Sequence, residues 1–109
     1  MDSKLIFIKS RRLLSKVAWW PTPDFGWQYC GTSDDLEVAL IRQTISRHLS
    51  SELVYFVPDR NDSKLVDKSQ IFDLIVNNID KMEMTFWTEK FNKVIEFKTF
   101  GVFRLGEVL

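Results

Sequence analysis

The sequence predicts an α+β fold in which two helices pack against a single-layer antiparallel or mixed β-sheet. The chain has 109 residues, of which 45% are hydrophobic, and this is enough for the core of one domain spanning residues 1–109. Two segments show helical spacing of apolar residues, and most other apolar runs are short and rich in strand formers. These elements do not alternate regularly, as they would in a doubly wound parallel fold.

The N-terminal part of the chain contains one short strand pattern and a long irregular segment. Residues 5–8 (LIFI) form an apolar run that predicts a buried strand. Apolar residues within 13–18 recur at a spacing that is also compatible with a short helix. Pro21 and Pro23 are expected to end any helix or strand that precedes them. Residues 19–31 are expected to form an ordered loop, with a strand at 26–30.

The middle of the chain predicts the first helix and the clearest strand. The helix is expected to begin near residues 32–35, because Asp34 and Glu37 have the spacing of a capping box. Its apolar stripe comprises Val38, Ile41, Ile45 and Leu49. Residues 53–57 (LVYFV) form the clearest strand, which Pro58 ends.

The second half of the chain predicts a loop, a helix and a β-meander. Residues 59–67 are polar and indicate a surface loop. Asp67 is a suitable helix cap with Gln70 at the third helical position. The apolar face of this second helix comprises Ile71, Leu74, Ile75 and Ile79. Alternating residues after position 82 predict the meander, with its first turn at residues 89–93.

Charge and cysteine content restrict the functional class and the compartment. Fifteen basic and fifteen acidic residues give a formal net charge of zero, which argues against a dedicated nucleic-acid binder. Cys30 is the only cysteine, so an intramolecular disulfide cannot form and a reducing compartment is expected. No apolar stretch approaches the length of a membrane span, and the N-terminus lacks a secretory pattern. We therefore expect a cytoplasmic protein without membrane contact.

The sequence indicates no catalytic residue, metal site or cofactor site. His48 is the only histidine, and neither it nor Cys30 lies in a catalytic motif, so structural roles are favoured for both. One histidine and one cysteine cannot form a structural zinc site, and no calcium loop is present. The glycines are too isolated for a phosphate-binding loop. These observations favour a non-enzymatic binding protein, and an enzyme that uses Cys30 or His48 is a weaker alternative.

The N-terminal segment combines basic and aromatic residues. The basic residues are Lys4, Lys9, Arg11, Arg12 and Lys16, and Trp19 and Trp20 follow them. Such a combination can hold single-stranded nucleic acid through phosphate contacts and base stacking. A solvated edge around a core tryptophan pair is the structural interpretation and is favoured here. A small nucleic-acid-binding module remains the alternative hypothesis.

The layout of the chain resembles that of small bacterial immunity proteins, particularly those paired with contact-dependent growth-inhibition toxins. The shared features are an N-terminal strand, a Trp-rich loop at residues 19–27 (WWPTPDFGW), two short helices and an aromatic hairpin end. The hairpin end covers residues 84–97 and 100–106. The resemblance implies a cytoplasmic protein that binds one cognate toxin domain and covers its active site or substrate entry.

Such a partner would be held by a few aromatic or charged anchors. Acidic residues in loops and at element ends, together with two tryptophans, form the predicted contact set. Its members are Trp20, Asp24, Trp27, Glu52, Asp59, Asp62 and Asp67. Inhibitors of basic nuclease toxins are often acidic, whereas this chain is neutral. The neutral charge therefore leaves the chemistry of the toxin open. The sequence patterns predict neither the strand order nor the oligomeric state.

Overall fold

The computed structural model describes residues 1–21, 26–32 and 34–109. Within them, the helices are α1 (Ser3–Leu14), α2 (Val38–His48) and α3 (Ile71–Asn78). The strands are β1 (Val17–Trp19), β2 (Gln28–Tyr29), β3 (Gly31–Thr32), β4 (Asp35–Leu36), β5 (Leu53–Val57), β6 (Lys64–Asp67), β7 (Met84–Thr88), β8 (Lys93–Lys98) and β9 (Val102–Val108). A short 3₁₀ helix, Lys68–Gln70, leads into α3.

Seven of these strands form one antiparallel sheet in the order β1-β9-β8-β7-β5-β6, and β2 pairs with β9 on the same side as β1. Strands β3 and β4 form a small separate hairpin. The expected α+β class is therefore confirmed. The sheet is covered by α1 on one face and by α2 and α3 on the other, so three helices pack on it instead of the expected two.

The face of the sheet under α2 and α3 holds the larger hydrophobic core. Phe86 lies at its centre, fully buried, and its ring stacks on Phe56 and contacts Phe97 edge-on. The helices contribute the aliphatic residues Ile41, Ile45, Leu49, Ile71, Ile75 and Ile79. Burial of each such side chain contributes roughly 1.5–3 kcal/mol to folding.

The opposite face of the sheet is covered by α1 and holds a second, smaller core. Trp87 is fully buried there, and its Nε1 donates a hydrogen bond to Ser10 Oγ on α1 at 2.8 Å. Phe91 lies 5.5 Å from the Trp87 ring, and Ile6 of α1 is buried in the same cluster. This arrangement fixes α1 against the middle of the sheet.

The prediction of a strand at residues 5–8 was wrong, because these residues lie inside α1. Asp2 caps this helix by accepting a hydrogen bond from the Leu5 N–H at 2.9 Å. Of the apolar run, Ile6 is buried, while Leu5 and Ile8 are exposed on the outer surface of α1. A four-residue apolar run does not distinguish a strand from one turn of a helix. The short helix considered for residues 13–18 is present only at its start. Leu14 is the last residue of α1, and Val17 begins β1.

Two further predictions in the middle of the chain were wrong. The capping box of Asp34 and Glu37 does not form: residue 37 is the N-cap but makes no side-chain capping bond, and residues 35–36 belong to β4. The segment at 59–67 is a loop only in its first part, because Lys64–Asp67 is β6 and pairs with β5. The expected strand at 26–30 is limited to Gln28–Tyr29.

Other predictions were confirmed. The strand at Leu53–Val57 has the expected bounds. Asp67 and Gln70 form the capping box, and the helix that follows buries Ile71 and Ile75. The C-terminal meander is present as β7, β8 and β9.

Replacement of Gly31 by alanine is expected to destabilise the fold by about 2–3 kcal/mol. Gly31 has φ of +89°, and an added Cβ would lie 2.1 Å from the Asp35 carbonyl oxygen. Both the backbone conformation and this clash disfavour any side chain. Chemical denaturation of Gly31→Ala measures the loss, with Thr32→Ala at the exposed neighbouring position as control. Surface substitutions usually change the free energy of unfolding by no more than about 0.5 kcal/mol, so a loss below that value would contradict this prediction.

Candidate functional site

The surface of the sheet beside α1 carries a cluster that we call the aromatic–arginine face. Its members are Trp19, Trp27, Tyr29, Glu83, Glu96, Lys98 and Arg104. Arg104 is central: its guanidinium carbon lies 3.7 Å from the ring centroid of Trp19 and 4.5 Å from that of Trp27. These distances are within the range of cation–π contacts.

The strand register brings these side chains together. Trp19 of β1 lies opposite Gly106, and Tyr29 of β2 lies opposite Val102. Arg104 lies between these two positions on β9, and side chains two residues apart on a strand point to the same face. The two short strands therefore place aromatic residues on either side of one arginine.

Gly106 leaves the space that Trp19 needs. A Cβ at this position would lie 2.3 Å from Val17 Cγ1 and 2.8 Å from Trp19 Cε3. Because glycine has no side chain, both residues can lie across β9, and the Trp19 ring can reach Arg104.

Two ion pairs complete the face. Arg104 Nε donates to Glu96 Oε1 at 2.8 Å, and the two side chains are only 25% and 13% exposed. Lys98 Nζ donates to Glu83 Oε2 at 2.9 Å nearer the periphery, where the Glu83 side chain is 61% exposed. The shielded Glu96–Arg104 pair is screened less by salt than the peripheral pair. It holds the guanidinium in one orientation between the rings.

This arrangement is suited to holding a protein partner. Tryptophan, tyrosine and arginine are the residues that most often dominate binding energy at interfaces. Tyr29 is 64% exposed. The terminal nitrogens of Arg104 make no hydrogen bond with any of the described residues, so this fixed fork can donate to a carboxylate or a carbonyl.

A cavity of about 230 Å³ lies on the other face of the sheet, between β9 and α2. Its wall and rim comprise Trp20, Gln28, Leu40, Gln43, Thr44, Arg47 and Leu105, and His48 also lines it. The backbone N–H of Trp20 donates to the Leu105 carbonyl at 2.8 Å, which fixes the chain at this point. The Trp20 ring then packs edge-on against the imidazole, with centroids 4.8 Å apart.

His48 is 2% exposed and is held by the backbone of the sheet. Its Nε2 lies 3.0 Å from the carbonyl oxygens of both Val94 and Gly106. Both atoms are acceptors, so Nε2 carries a proton. Burial lowers the pKa of His48, although the two carbonyl contacts oppose this effect. The neutral ring therefore leaves Nδ1 as an acceptor, and Nδ1 has no hydrogen-bond partner within residues 1–21, 26–32 and 34–109.

Cys30 lies in the larger core. Its Sγ donates to the Gly101 carbonyl at 3.3 Å, and its backbone N–H donates to the same oxygen at 2.8 Å. Burial raises the pKa of the Cys30 thiol to about 11. The thiolate is the nucleophilic form, so this pKa disfavours Cys30 as a nucleophile at neutral pH.

Across residues 1–21, 26–32 and 34–109, no three His, Cys, Asp or Glu side chains converge as a metal site would require. No described helix is both long enough and apolar enough to cross a bilayer.

The predicted tryptophan contacts lie at one edge of the sheet but on opposite faces. Trp20 is 42% exposed and lies over His48 on the α2 side, whereas Trp27 is half-buried over Arg104 on the α1 side. Asp24 of the same predicted set lies outside the described residues.

The predicted acidic contacts lie at the opposite edge of the sheet. Glu52 and Asp67 are at one end of the β5–β6 hairpin, and Asp59 and Asp62 are in its connecting loop. The edge strand β1 is separated from β5 by four strand spacings, roughly 19 Å. The predicted set therefore does not form one surface, and partner contact by any single member stays a prediction.

Two of these acids have local structural roles. Asp67 Oδ1 accepts a hydrogen bond from the Ser69 N–H at 2.9 Å, and this bond lowers the pKa of the exposed carboxyl. Asp59 Oδ1 accepts the N–H groups of Asn61 and Asp62, each at 2.8 Å, and so shapes the hairpin loop.

The basic N-terminal residues are arranged along α1. Lys4, Lys9, Arg11 and Arg12 all belong to this helix, which contains no acidic residue. Lys9 Nζ lies 4.5 Å from the Phe91 ring centroid, while Arg11 and Arg12 are exposed. The helix thus presents a basic outer surface.

The central residues of the aromatic–arginine face are not predicted by local patterns in the sequence. Arg104 and Glu96 are eight positions apart and become partners only through the β8–β9 register. The alternation around Val102 and Arg104 was visible, but it does not show which residue lies opposite. Trp19 belongs to the Trp-rich segment at residues 19–27 but is not a member of the predicted contact set.

No family model matches this chain, and neither the curated proteins nor the solved structures include a significant match to it.

The free energy of unfolding is expected to fall as the pH decreases from 7.5 to 5.5. The pKa of His48 is lowered in the folded state. As the pH falls through about 6.5, the imidazole therefore takes up a proton in the unfolded chain but stays neutral in the folded protein. The decrease is limited to about 1.4 kcal/mol per pH unit for one proton. The Asp67 contribution is lost only at lower pH, because its folded-state pKa is below the ordinary value.

Urea denaturation at both pH values measures this effect. The control is His48→Gln, whose amide can donate to the same two carbonyls but does not titrate. The variant is expected to lose most of the difference between the two pH values. An equal difference in the variant and the parent protein would show that His48 is not its source.

Proposed function

We propose that this protein is a non-enzymatic, cytoplasmic binding protein that neutralises a cognate toxin domain by covering its active site or substrate entry. The aromatic–arginine face is the surface that makes the contact. The observation that carries this proposal is the guanidinium of Arg104, held between Trp19 and Trp27 by Glu96.

The geometry of this face supports protein binding. Rigid aromatic rings lose little conformational freedom on association, and an arginine already fixed by an ion pair loses less than a free one. The exposed Tyr29 extends the same surface beyond the arginine. Binding through preorganised anchors is typical of interfaces in which a few residues provide most of the affinity.

The surroundings of Cys30 and His48 favour structural roles for both residues. Burial raises the pKa of the Cys30 thiol to about 11, and His48 Nε2 donates to two backbone carbonyls, which leaves only Nδ1 as an acceptor. These features support a binding role over the enzyme alternative. The narrower assignment to toxin neutralisation rests on the resemblance in chain layout. The aromatic hairpin end of that layout is present as β7, β8 and β9, whereas the expected N-terminal strand is helix α1.

Toxin co-expression tests the proposal. A toxin domain encoded beside this gene would be expressed in a sensitive bacterial host with and without the protein, and growth would be followed. The proposal expects growth to be restored by the parent protein and by Arg42→Glu, but not by Arg104→Glu. Arg42 is a matched control, because its guanidinium carbon lies 3.9 Å from the Phe72 ring on the far side of the molecule. Failure of the parent protein to restore growth would refute neutralisation of that toxin.

The nucleic-acid alternative is supported by the basic surface of α1. Its test is binding of a labelled single-stranded oligonucleotide at several salt concentrations. A nucleic-acid module would show affinity that falls steeply with salt and depends on the exposed Arg11 and Arg12. Absent or salt-insensitive binding would exclude it.

A further inference from the structure

The cavity between β9 and α2 has a size that suits one side chain. Its volume is about 230 Å³. Pockets for small-molecule ligands usually measure roughly 300–1,000 Å³. Leu40 and Leu105 provide apolar surface, and Gln28, Gln43, Thr44 and Arg47 add polar groups around it. An aromatic group that carries a hydroxyl would complement this mixed lining.

One polar atom at this site lacks a partner. The Nδ1 atom of His48 is an acceptor, because the carbonyls of Val94 and Gly106 fix the proton on Nε2. It is buried without a hydrogen bond to any described residue. A buried acceptor without a donor is unfavourable, so a donor supplied from outside would be bound with added affinity.

Trp20 is positioned to respond to such a group. Trp20 is 42% exposed, and its ring contacts the imidazole edge-on. An edge-on contact with a partly exposed ring can be displaced without disrupting the core. A hydroxyl group that entered beside Trp20 could then reach the imidazole.

We propose that this cavity is an anchor pocket for a tyrosine side chain of a partner protein, whose hydroxyl donates a hydrogen bond to His48 Nδ1. The aromatic ring would fill the space between Trp20, Leu40 and Leu105. This inference rests on the proposed function in that it assumes a protein partner. The site itself lies on the opposite face of the sheet from the aromatic–arginine face.

The isolated protein tests the pocket without any toxin. The probe is 4-methylphenol, which reproduces the tyrosine side chain, and toluene is the matched compound without the hydroxyl. Binding is followed by NMR of the ¹⁵N-labelled imidazole, because His48 is the only histidine in the chain. We expect 4-methylphenol to bind about tenfold more tightly than toluene, as one hydrogen bond would provide, and to shift the Nδ1 resonance upfield.

Variants at the rim of the cavity complete the test. Gln43 is exposed on α2, so Gln43→Trp should close the cavity without disturbing the core, and Gln43→Ala should leave it open. Binding should be lost in the first variant and retained in the second. Equal affinity for the two compounds, or an unchanged Nδ1 resonance at saturation, would overturn the inference. Failure of toxin neutralisation would be recognised separately, because this titration contains no toxin.

Discussion

Replacement of Trp87 by alanine is expected to lower the free energy of unfolding by about 3–5 kcal/mol. Trp87 is fully buried on β7, and its Nε1 donates to Ser10 Oγ of α1 at 2.8 Å. The substitution removes the largest side chain under α1 and leaves a cavity. Domains of this size are stable by roughly 5–15 kcal/mol, so a large part of the total stability would be lost.

Two smaller substitutions separate packing from hydrogen bonding at this position. Trp87→Phe keeps an aromatic ring but removes the donor, whereas Ser10→Ala leaves the indole N–H buried without an acceptor. Leaving that donor unpaired should cost about 1–3 kcal/mol. The double variant should be less destabilised than the sum of the two single variants, because the same bond is lost in each.

Denaturant unfolding of the parent protein and the four variants measures these differences, with Tyr29→Ala as a control at a position that is 64% exposed. The control should change the free energy of unfolding by no more than about 0.5 kcal/mol. A loss below about 1 kcal/mol in Trp87→Ala would mean that α1 does not pack on the sheet as described.

Replacement of Arg104 by alanine is expected to weaken partner binding at least 30-fold, or about 2 kcal/mol, as at a typical interface hot spot. The substitution removes the cation held between Trp19 and Trp27 and leaves the carboxylate of Glu96 unpaired. Both consequences weaken the same surface. The dissociation rate should account for most of the change, because close contacts mainly determine how long a complex persists.

Calorimetry or surface plasmon resonance with the purified partner measures this loss. Arg42→Ala is the control, because it removes a similar arginine–aromatic contact, with Phe72, at a distant position. Its affinity should remain within about twofold of the parent value. Equal losses in the two variants would indicate a general effect on stability, and no loss in Arg104→Ala would remove this face from the interface.

Local signals in the sequence predicted several elements correctly. The alternation in Leu53–Val57 and the Asp67–Gln70 capping box each depend on neighbouring residues, and both are present in the structure. The strand prediction for residues 5–8 was wrong because a strand and a helix turn with this apolar run differ only in which residues are buried. That depends on the position of α1 over β5 and β7, which four residues cannot specify.

The candidate site was harder to predict than these elements, because it also depends on contacts between residues that are distant in the chain. Trp27 was identified from its residue type, but its contact with Arg104 depends on the pairing of β2 with β9, more than seventy positions later in the chain. The prediction of acidic contacts rests on the expected exposure of loops and element ends. Exposure alone did not indicate that Asp59 and Asp67 cap local turns, or that they lie at the edge of the sheet far from Trp27.

Co-purification of the tagged protein from its own host at moderate salt, followed by mass spectrometry, tests the central claim most directly. The parent protein and the Arg42→Glu and Arg104→Glu variants would be compared in parallel. We predict one stoichiometric protein with a toxin-like domain in the first two samples and its loss from the third. Recovery of nucleic acid in place of a protein, or of the same partner with Arg104→Glu, would contradict binding through the aromatic–arginine face.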